Sequence, residues 1–120
     1  MPPSMADLLV DTDVLVDHLR GSRRLERASG DRIAVSTITR AELFAGSPAQ
    51  REAVRRLLDP LGELPVDRSV AELAGGIRSG TGIALPDALI AATALHHSLE
   101  ILTRNERDFG RVDGLVIASR

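Results

Sequence analysis

Cysteine and lysine are both absent from this chain of 120 residues. Without cysteine there can be no disulfide bond, thiolate zinc site or cysteine nucleophile, and the composition fits a reducing compartment. Without lysine, no mechanism here can use a lysine amine. All 15 basic side chains are therefore arginines, a bias that a GC-rich genome would explain and that bidentate phosphate contacts would also explain.

The sequence also lacks a long apolar run, and no segment could span a bilayer. Residues 1–6 are expected to be a loose tail. They lack the charged and apolar regions of an export signal. We therefore expect a cytoplasmic protein without membrane contact. The net charge of −2 disfavours binding to nucleic acid through bulk positive charge, although a local basic rim is compatible with it. The length predicts a single domain over 1–120.

Short apolar runs alternate with helical patterns along the chain, which predicts parallel βαβ units with helices on both faces of a sheet. Ser69, with Glu72 three residues later, predicts a helix that begins there and runs to Ile77. A flexible loop is predicted over 79–82. Five strands are predicted, over 8–11, 33–36, 63–66, 100–103 and 115–118.

Four acidic residues stand where a predicted strand or loop passes into a helix. They are Asp11, Glu42, Asp87 and Asp108. Segments that leave the carboxyl ends of parallel strands converge on one crevice. Acids brought together there repel one another and resist full ionisation unless a cation joins them. The pattern therefore predicts a site for a hard metal ion, suited to phosphodiester chemistry.

Each of these acids also has a purely structural explanation. Asp11 and Asp87 could simply cap helices, as aspartate often does, and Glu42 could face solvent near a helix start. The stretch 103–109 has the composition of an ordinary polar turn. A binding module without turnover, in which the acids only cap helices, would contain the same residues, and metal titration would distinguish the two.

Four segments occur in order: Leu9-Val10-Asp11-Thr12-Asp13-Val14-Leu15, Thr39-x-x-Glu42-Leu43, Pro86-Asp87-Ala88-Leu89-Ile90-Ala91-Ala92 and Thr103-Arg104-Asn105-x-x-Asp108-Phe109. Together they resemble the PIN domain, and more narrowly the VapC ribonuclease toxins of bacterial toxin–antitoxin pairs. The resemblance runs from about residue 7 to the end of the chain. It implies an α/β fold, a three-layer α/β/α sandwich with a five-stranded, mostly parallel sheet.

The resemblance also implies the activity of a metal-dependent endoribonuclease, which hydrolyses RNA phosphodiester bonds with water activated by Mg²⁺ or Mn²⁺. It further implies inhibition by a VapB-like antitoxin, and a homodimer that assembles further with that partner. The catalytic acids carried over are Asp11, Glu42, Asp87 and Asp108, of which Asp11, Asp87 and Asp108 are the metal ligands. The supporting residues are Thr12, Thr103 and Asn105.

Asp13 leaves a second enzyme class open. The family often has Asn or Ser at this position, so the resemblance gives this carboxylate a secondary role. The pair Asp11-x-Asp13 also fits the opening motif of haloacid-dehalogenase-like phosphohydrolases, with Asp11 as nucleophile and Asp13 as acid/base. That class typically uses a lysine to neutralise the phospho-aspartate, and this chain has none.

Basic residues cluster just after the first acidic motif. They could contact RNA phosphates or an antitoxin, or they could form a solvated helix face. Loss of RNA binding on charge reversal would favour the first explanation. The cluster consists of Arg20, Arg23, Arg24 and Arg27.

Overall fold

A parallel sheet of four strands lies at the centre of the structure, a computed structural model that describes residues 6–25 and 32–119. Its order is β3-β2-β1-β4, so the first strand is flanked by the second and the last. Leu9 of β1 pairs with Ala34 of β2 on one side and with Ile101 of β4 on the other. The strands are β1 (Leu8–Val10), β2 (Ile33–Ser36), β3 (Gly62–Leu64) and β4 (Glu100–Leu102).

The predicted fifth strand over 115–118 is wrong as a full strand, because it is reduced to one parallel bridge between Ile101 and Ile117. Two backbone hydrogen bonds hold it: Ile101 N–H donates to the Val116 carbonyl at 2.9 Å, and Ala118 N–H donates to the Ile101 carbonyl at 2.8 Å. Val116 is 56% exposed, so no second layer covers this residue and the pairing stays short.

Six α-helices and one 3₁₀ turn over Pro48–Gln50 are found in the described segments. The loop predicted over 79–82 is wrong, since α4 continues to Thr81 and ends at Gly82, whose φ of 76° is left-handed. Its start also differs from the prediction, because the Asp67 carboxylate caps it by accepting the Val70 N–H at 2.9 Å. The helices are α1 (Thr12–Arg20), α2 (Thr37–Phe44), α3 (Arg51–Leu58), α4 (Arg68–Thr81), α5 (Leu85–His96) and α6 (Glu106–Phe109).

Apolar side chains pack on both faces of the sheet, which confirms the α/β/α sandwich. Because side chains alternate along a strand, Leu9 joins one core with residues of α4 and α5, including Ile90. Its neighbours Leu8 and Val10 join the other core with α1 and α3, including Leu15. In the described part of the chain, no helix is both long enough and apolar enough to cross a membrane.

Polar residues follow the strands at one edge of this sheet. Strand β1 passes through Asp11 into α1, and β2 passes directly into α2. Strand β4 leads into the segment 103–105, which precedes α6. Because the strands are parallel, all three exits lie at the carboxyl edge of the sheet, where the predicted site residues follow them.

Candidate active site

One cleft at the carboxyl edge of the sheet collects acidic side chains from α1, α2 and α5. It has a volume of about 410 Å³. A single basic side chain, that of Arg20, lines it. The acids that line it are Asp11, Asp13, Asp17, Glu42 and Asp87. The cleft is therefore strongly negative, as expected for a site that holds a cation.

Asp11 is the buried acid of the cleft, with only 4% of its surface exposed. Its Oδ1 accepts the Thr12 N–H at 2.8 Å, which caps α1, and its Oδ2 accepts the Thr103 hydroxyl at 2.8 Å. Burial first, and then the nearby Asp13 carboxylate, raises the pKa of Asp11 to about 7. The bond from Thr103 opposes that shift because it favours the ionised form. Asp11 is thus held in one orientation by two donors.

Asp87 lies in the first turn of α5, directly after Pro86. Burial raises the pKa of Asp87, and the negative charges of Glu42, Asp108 and Asp13 raise it further. Because like charges shift a pKa only over short distances, these effects place the acids of four separate segments around one space. The predicted clustering is therefore present in the structure.

Glu42 reaches the cleft from α2, with an exposed side chain that a hydroxyl group orients. The Thr12 hydroxyl donates to its Oε1 at 2.7 Å. The same hydroxyl lies 3.0 Å from that of Thr39, which is buried one turn before Glu42 on the same helix. Thr12, a predicted supporting residue, therefore links the start of α1 to the acid on α2.

The three consecutive residues 103–105 each donate a hydrogen bond to a different carboxylate. Besides the bond from Thr103 to Asp11, the Arg104 N–H donates to both carboxylate oxygens of Asp13, at 3.2 and 3.3 Å. Asn105 completes the series, because its Nδ2 donates to an oxygen of Asp108 at 3.0 Å. One short segment after β4 therefore sets the positions of carboxylates that come from both ends of the chain.

The oxygen-rich character of the cleft fits a hard divalent cation. Carboxylates, hydroxyls and an amide suit Mg²⁺ or Mn²⁺. Over residues 6–25 and 32–119, no three acidic or histidine side chains form a ready-made metal site. Mg²⁺ does not require one, because it commonly binds through one or two carboxylates and keeps several waters. The donor set thus fits such an ion.

The predicted site residues fall into three groups. Most of them line the cleft, and Thr103 and Asp108 do not line it but are hydrogen-bonded to Asp11 and Asn105, which do. Of the predicted arginines, Arg20 lines the cleft. Arg23 and Arg24 are exposed in the segment after α1 and do not line it, and Arg27 lies outside the described residues.

Asp17 and Arg104 were not predicted as site residues, and Asp13 was given only a secondary role. Asp13 acts on the pKa of both Asp11 and Asp87. Asp17 lines the cleft one turn after Asp13, and Arg104 pairs with Asp17 through its Nε at 3.4 Å. The spacing of Asp13 and Asp17, four residues apart on one helix, was a usable signal that both face the same side.

Comparison with known protein families gives a match to the PIN domain over residues 8–115. The chain is 38% identical over 110 residues to Ribonuclease VapC10 of Mycobacterium tuberculosis, and the match covers 82% of each sequence. It is 33% identical over 113 residues to Ribonuclease VapC19 of the same species, covering 84% of this chain and 90% of the relative.

Solved structures of similar fold include toxin–antitoxin complexes. A chain of a toxin–antitoxin complex from Klebsiella pneumoniae is 35% identical, with a TM-score of 0.79 over 92% of this chain and 96% of that one. A chain of the DNA-bound VapBC complex from Salmonella typhimurium is 25% identical, with a TM-score of 0.82 over 95% and 98%. The similarity therefore extends over nearly the whole fold.

Proposed function

Because the chain belongs to the PIN-domain family, and within it to the VapC group, we propose that it is a metal-dependent endoribonuclease toxin. Its substrate is RNA, whose phosphodiester bonds it hydrolyses with an activated water. The cofactor is Mg²⁺ or Mn²⁺. The catalytic residues are Asp11, Glu42, Asp87 and Asp108.

The observation that carries this proposal is the convergence of acids from distant parts of the sequence on one cleft. Asp11 follows β1, Glu42 lies on α2 and Asp87 opens α5, yet all three line the same space. Helix capping alone explains Asp11, but it explains neither Glu42 nor Asp87, because neither makes a side-chain cap. A shared cation accounts for all of them at once.

Asp11 and Asp87 would hold the ion, with Asp108 as the ligand of a second or weaker site. A bound Mg²⁺ or Mn²⁺ would lower the pKa of an attacking water and stabilise negative charge on the phosphate. The residues of the chain orient the carboxylates. Thr103 and the Thr12 N–H fix Asp11, and Asn105 fixes Asp108. Such fixed groups need little rearrangement during the reaction.

Glu42 has a different place in the proposed reaction. It is an exposed residue of the cleft lining, and its Oε1 accepts the Thr12 hydroxyl. An exposed carboxylate in that position can act directly or through a water on the substrate.

An antitoxin partner follows from the same similarity. The VapBC complexes are assemblies in which a chain of this fold is bound to its antitoxin. We therefore propose a VapB-like antitoxin as the partner, and a homodimer that assembles further with it. Co-purification of this chain with a co-expressed VapB-like protein tests the pairing.

The first prediction concerns the ligands. Asp87→Asn or Asp11→Asn removes one carboxylate charge and should reduce Mn²⁺-dependent RNA cleavage at least about a hundredfold, because the ion loses a direct ligand. Cleavage sites mapped across total RNA, with the purified chain and each variant, measure the effect. A folded Asp87→Asn protein with full activity would contradict the assignment.

Glu100→Gln is the matched control. Glu100 is exposed at the start of β4, at the opposite edge of the sheet from the cleft, so the same loss of charge should leave cleavage unchanged. Asp13→Asn distinguishes the haloacid-dehalogenase alternative. It should be mild here, because Asp13 accepts the Arg104 N–H and is not a proposed ligand, but it would abolish turnover if Asp13 were an acid/base.

Calorimetric titration with Mn²⁺ addresses the binding-module alternative. Acids that serve only as caps would take up no ion, whereas the proposed site should bind Mn²⁺ and lose that binding in Asp87→Asn. Ion uptake without RNA cleavage would point to a module that has kept the site and lost the reaction.

A further inference from the structure

We propose that Arg104 is a substrate-binding residue that contacts a phosphate of the RNA beside the cleft. This inference rests on the proposed function and deepens it, since it names a residue that receives the substrate. The negative charge of the cleft lining favours such a residue. Five acids line it against a single arginine, so a polyanion is repelled unless further positive charge lies close by.

Arg104 lies beside the cleft, next to Asn105, which lines it. Its neighbours Thr103 and Asn105 are bonded to Asp11 and Asp108, and its own N–H donates to Asp13. The backbone that carries the guanidinium is therefore fixed relative to the acids. Its side chain is 20% exposed, which is enough for a contact from the solvent side.

Only one of the three guanidinium nitrogens of Arg104 donates a hydrogen bond to another described residue. Its Nε donates to Asp17 at 3.4 Å, and Asp17 lines the cleft. In the part of the chain that the structure describes, neither terminal nitrogen of Arg104 donates to an acceptor. These terminal N–H groups have the fork geometry that matches phosphate oxygens.

A purely structural ion pair between Asp17 and Arg104 predicts something different. If the pair only stabilises the fold, removing either partner should weaken RNA binding alike, through loss of structure. If Arg104 receives a phosphate, the two changes act in opposite directions. Removal of Asp17 takes a repelling charge from the cleft, whereas removal of Arg104 takes away the attraction.

The test measures binding of a short fluorescein-labelled single-stranded RNA of mixed sequence by anisotropy, without divalent ions and in an Asp87→Asn background that prevents cleavage. Arg104→Gln should weaken binding about tenfold and reduce the slope of log K against log salt by about 0.7, the value for one phosphate contact on a single strand. Arg104→Lys should recover part of the affinity, and Asp17→Asn should bind as tightly as the parent or more tightly.

Arg32→Gln is the matched control, because Arg32 is also an arginine paired with an aspartate, Asp7, and precedes β2 at the opposite edge of the sheet. It should change the affinity less than about twofold, because salt screens a charge that is remote from the cleft. Thermal unfolding of each variant separates binding effects from loss of structure.

Unchanged affinity in a folded Arg104→Gln protein overturns the inference, and so do equal losses in Arg104→Gln and Asp17→Asn with an unchanged salt slope. Either result leaves the ribonuclease proposal intact, since cleavage by the unsubstituted chain is measured separately. An unsubstituted chain that neither cuts nor binds RNA overturns both.

Discussion

At the scale of single residues, Asp11 combines two tasks that usually fall to different side chains. One carboxylate oxygen caps α1 and the other accepts the Thr103 hydroxyl. Since both bonds favour the ionised form while burial and Asp13 disfavour it, the pKa near 7 reflects a balance of opposing effects. Changes in its few neighbours should therefore alter both stability and ion binding.

Thr103→Val tests this balance. It removes the buried donor to Asp11 but keeps the shape of the side chain. At about pH 8, where Asp11 is ionised, we expect the free energy of unfolding to fall by roughly 1.5–3 kcal/mol, the range for a hydrogen bond to a charged group. Urea unfolding measures it. Thr103→Ser keeps the hydroxyl and should lose much less, and equal losses in both variants would indicate that packing, not the hydrogen bond, is responsible.

Ion binding should be coupled to proton release. Because the pKa of Asp11 is raised to about 7, this carboxyl keeps its proton up to neutral pH, and a cation must displace it. The affinity for Mn²⁺ should therefore fall as the pH drops below about 7, by up to about tenfold per pH unit. Calorimetry in two buffers of different ionisation enthalpy measures the protons released. If the heat of Mn²⁺ binding at about pH 6 is the same in both buffers, ion binding is not coupled to proton release.

At the scale of elements, the pattern of proline and uncharged residues was a better guide to helix bounds than single glycine residues were. In helix α5, Pro86 marks the first turn and an uncharged run follows, and both signals are visible in the sequence. The end of α4 was mistaken for a loop, since Gly80 and Gly82 suggested flexibility. The helix instead continues through Gly80, and Gly82 ends it in a left-handed conformation.

The start of α4 offers a direct comparison between the predicted cap and the observed one. Asp67 accepts the Val70 N–H, whereas Ser69, the predicted cap, lies inside the helix. Asp67→Ala should therefore lower the free energy of unfolding by about 1 kcal/mol, while Ser69→Ala should leave it nearly unchanged. Urea denaturation of both variants checks this, and the reverse order would restore the sequence-based assignment.

The candidate acids were predictable because they follow strand ends and helix starts, and a parallel sheet collects those positions at one edge. Their partners were not predictable. The bond between Thr103 and Asp11 joins residues 92 positions apart, and the one between Arg104 and Asp13 joins residues 91 apart. No local pattern encodes such pairs, because they depend on which strands become neighbours.

At the scale of the whole molecule, the strand order places the first and last strands side by side, with β4 pairing directly to β1. A chain synthesised only as far as α5 has no β4, and it also lacks Thr103, Asn105 and Asp108. The acidic cleft can therefore gather only after β4 and the segment that follows it have been made. For a protein whose proposed activity is to destroy RNA, we expect this strand order to keep the chain inactive until then.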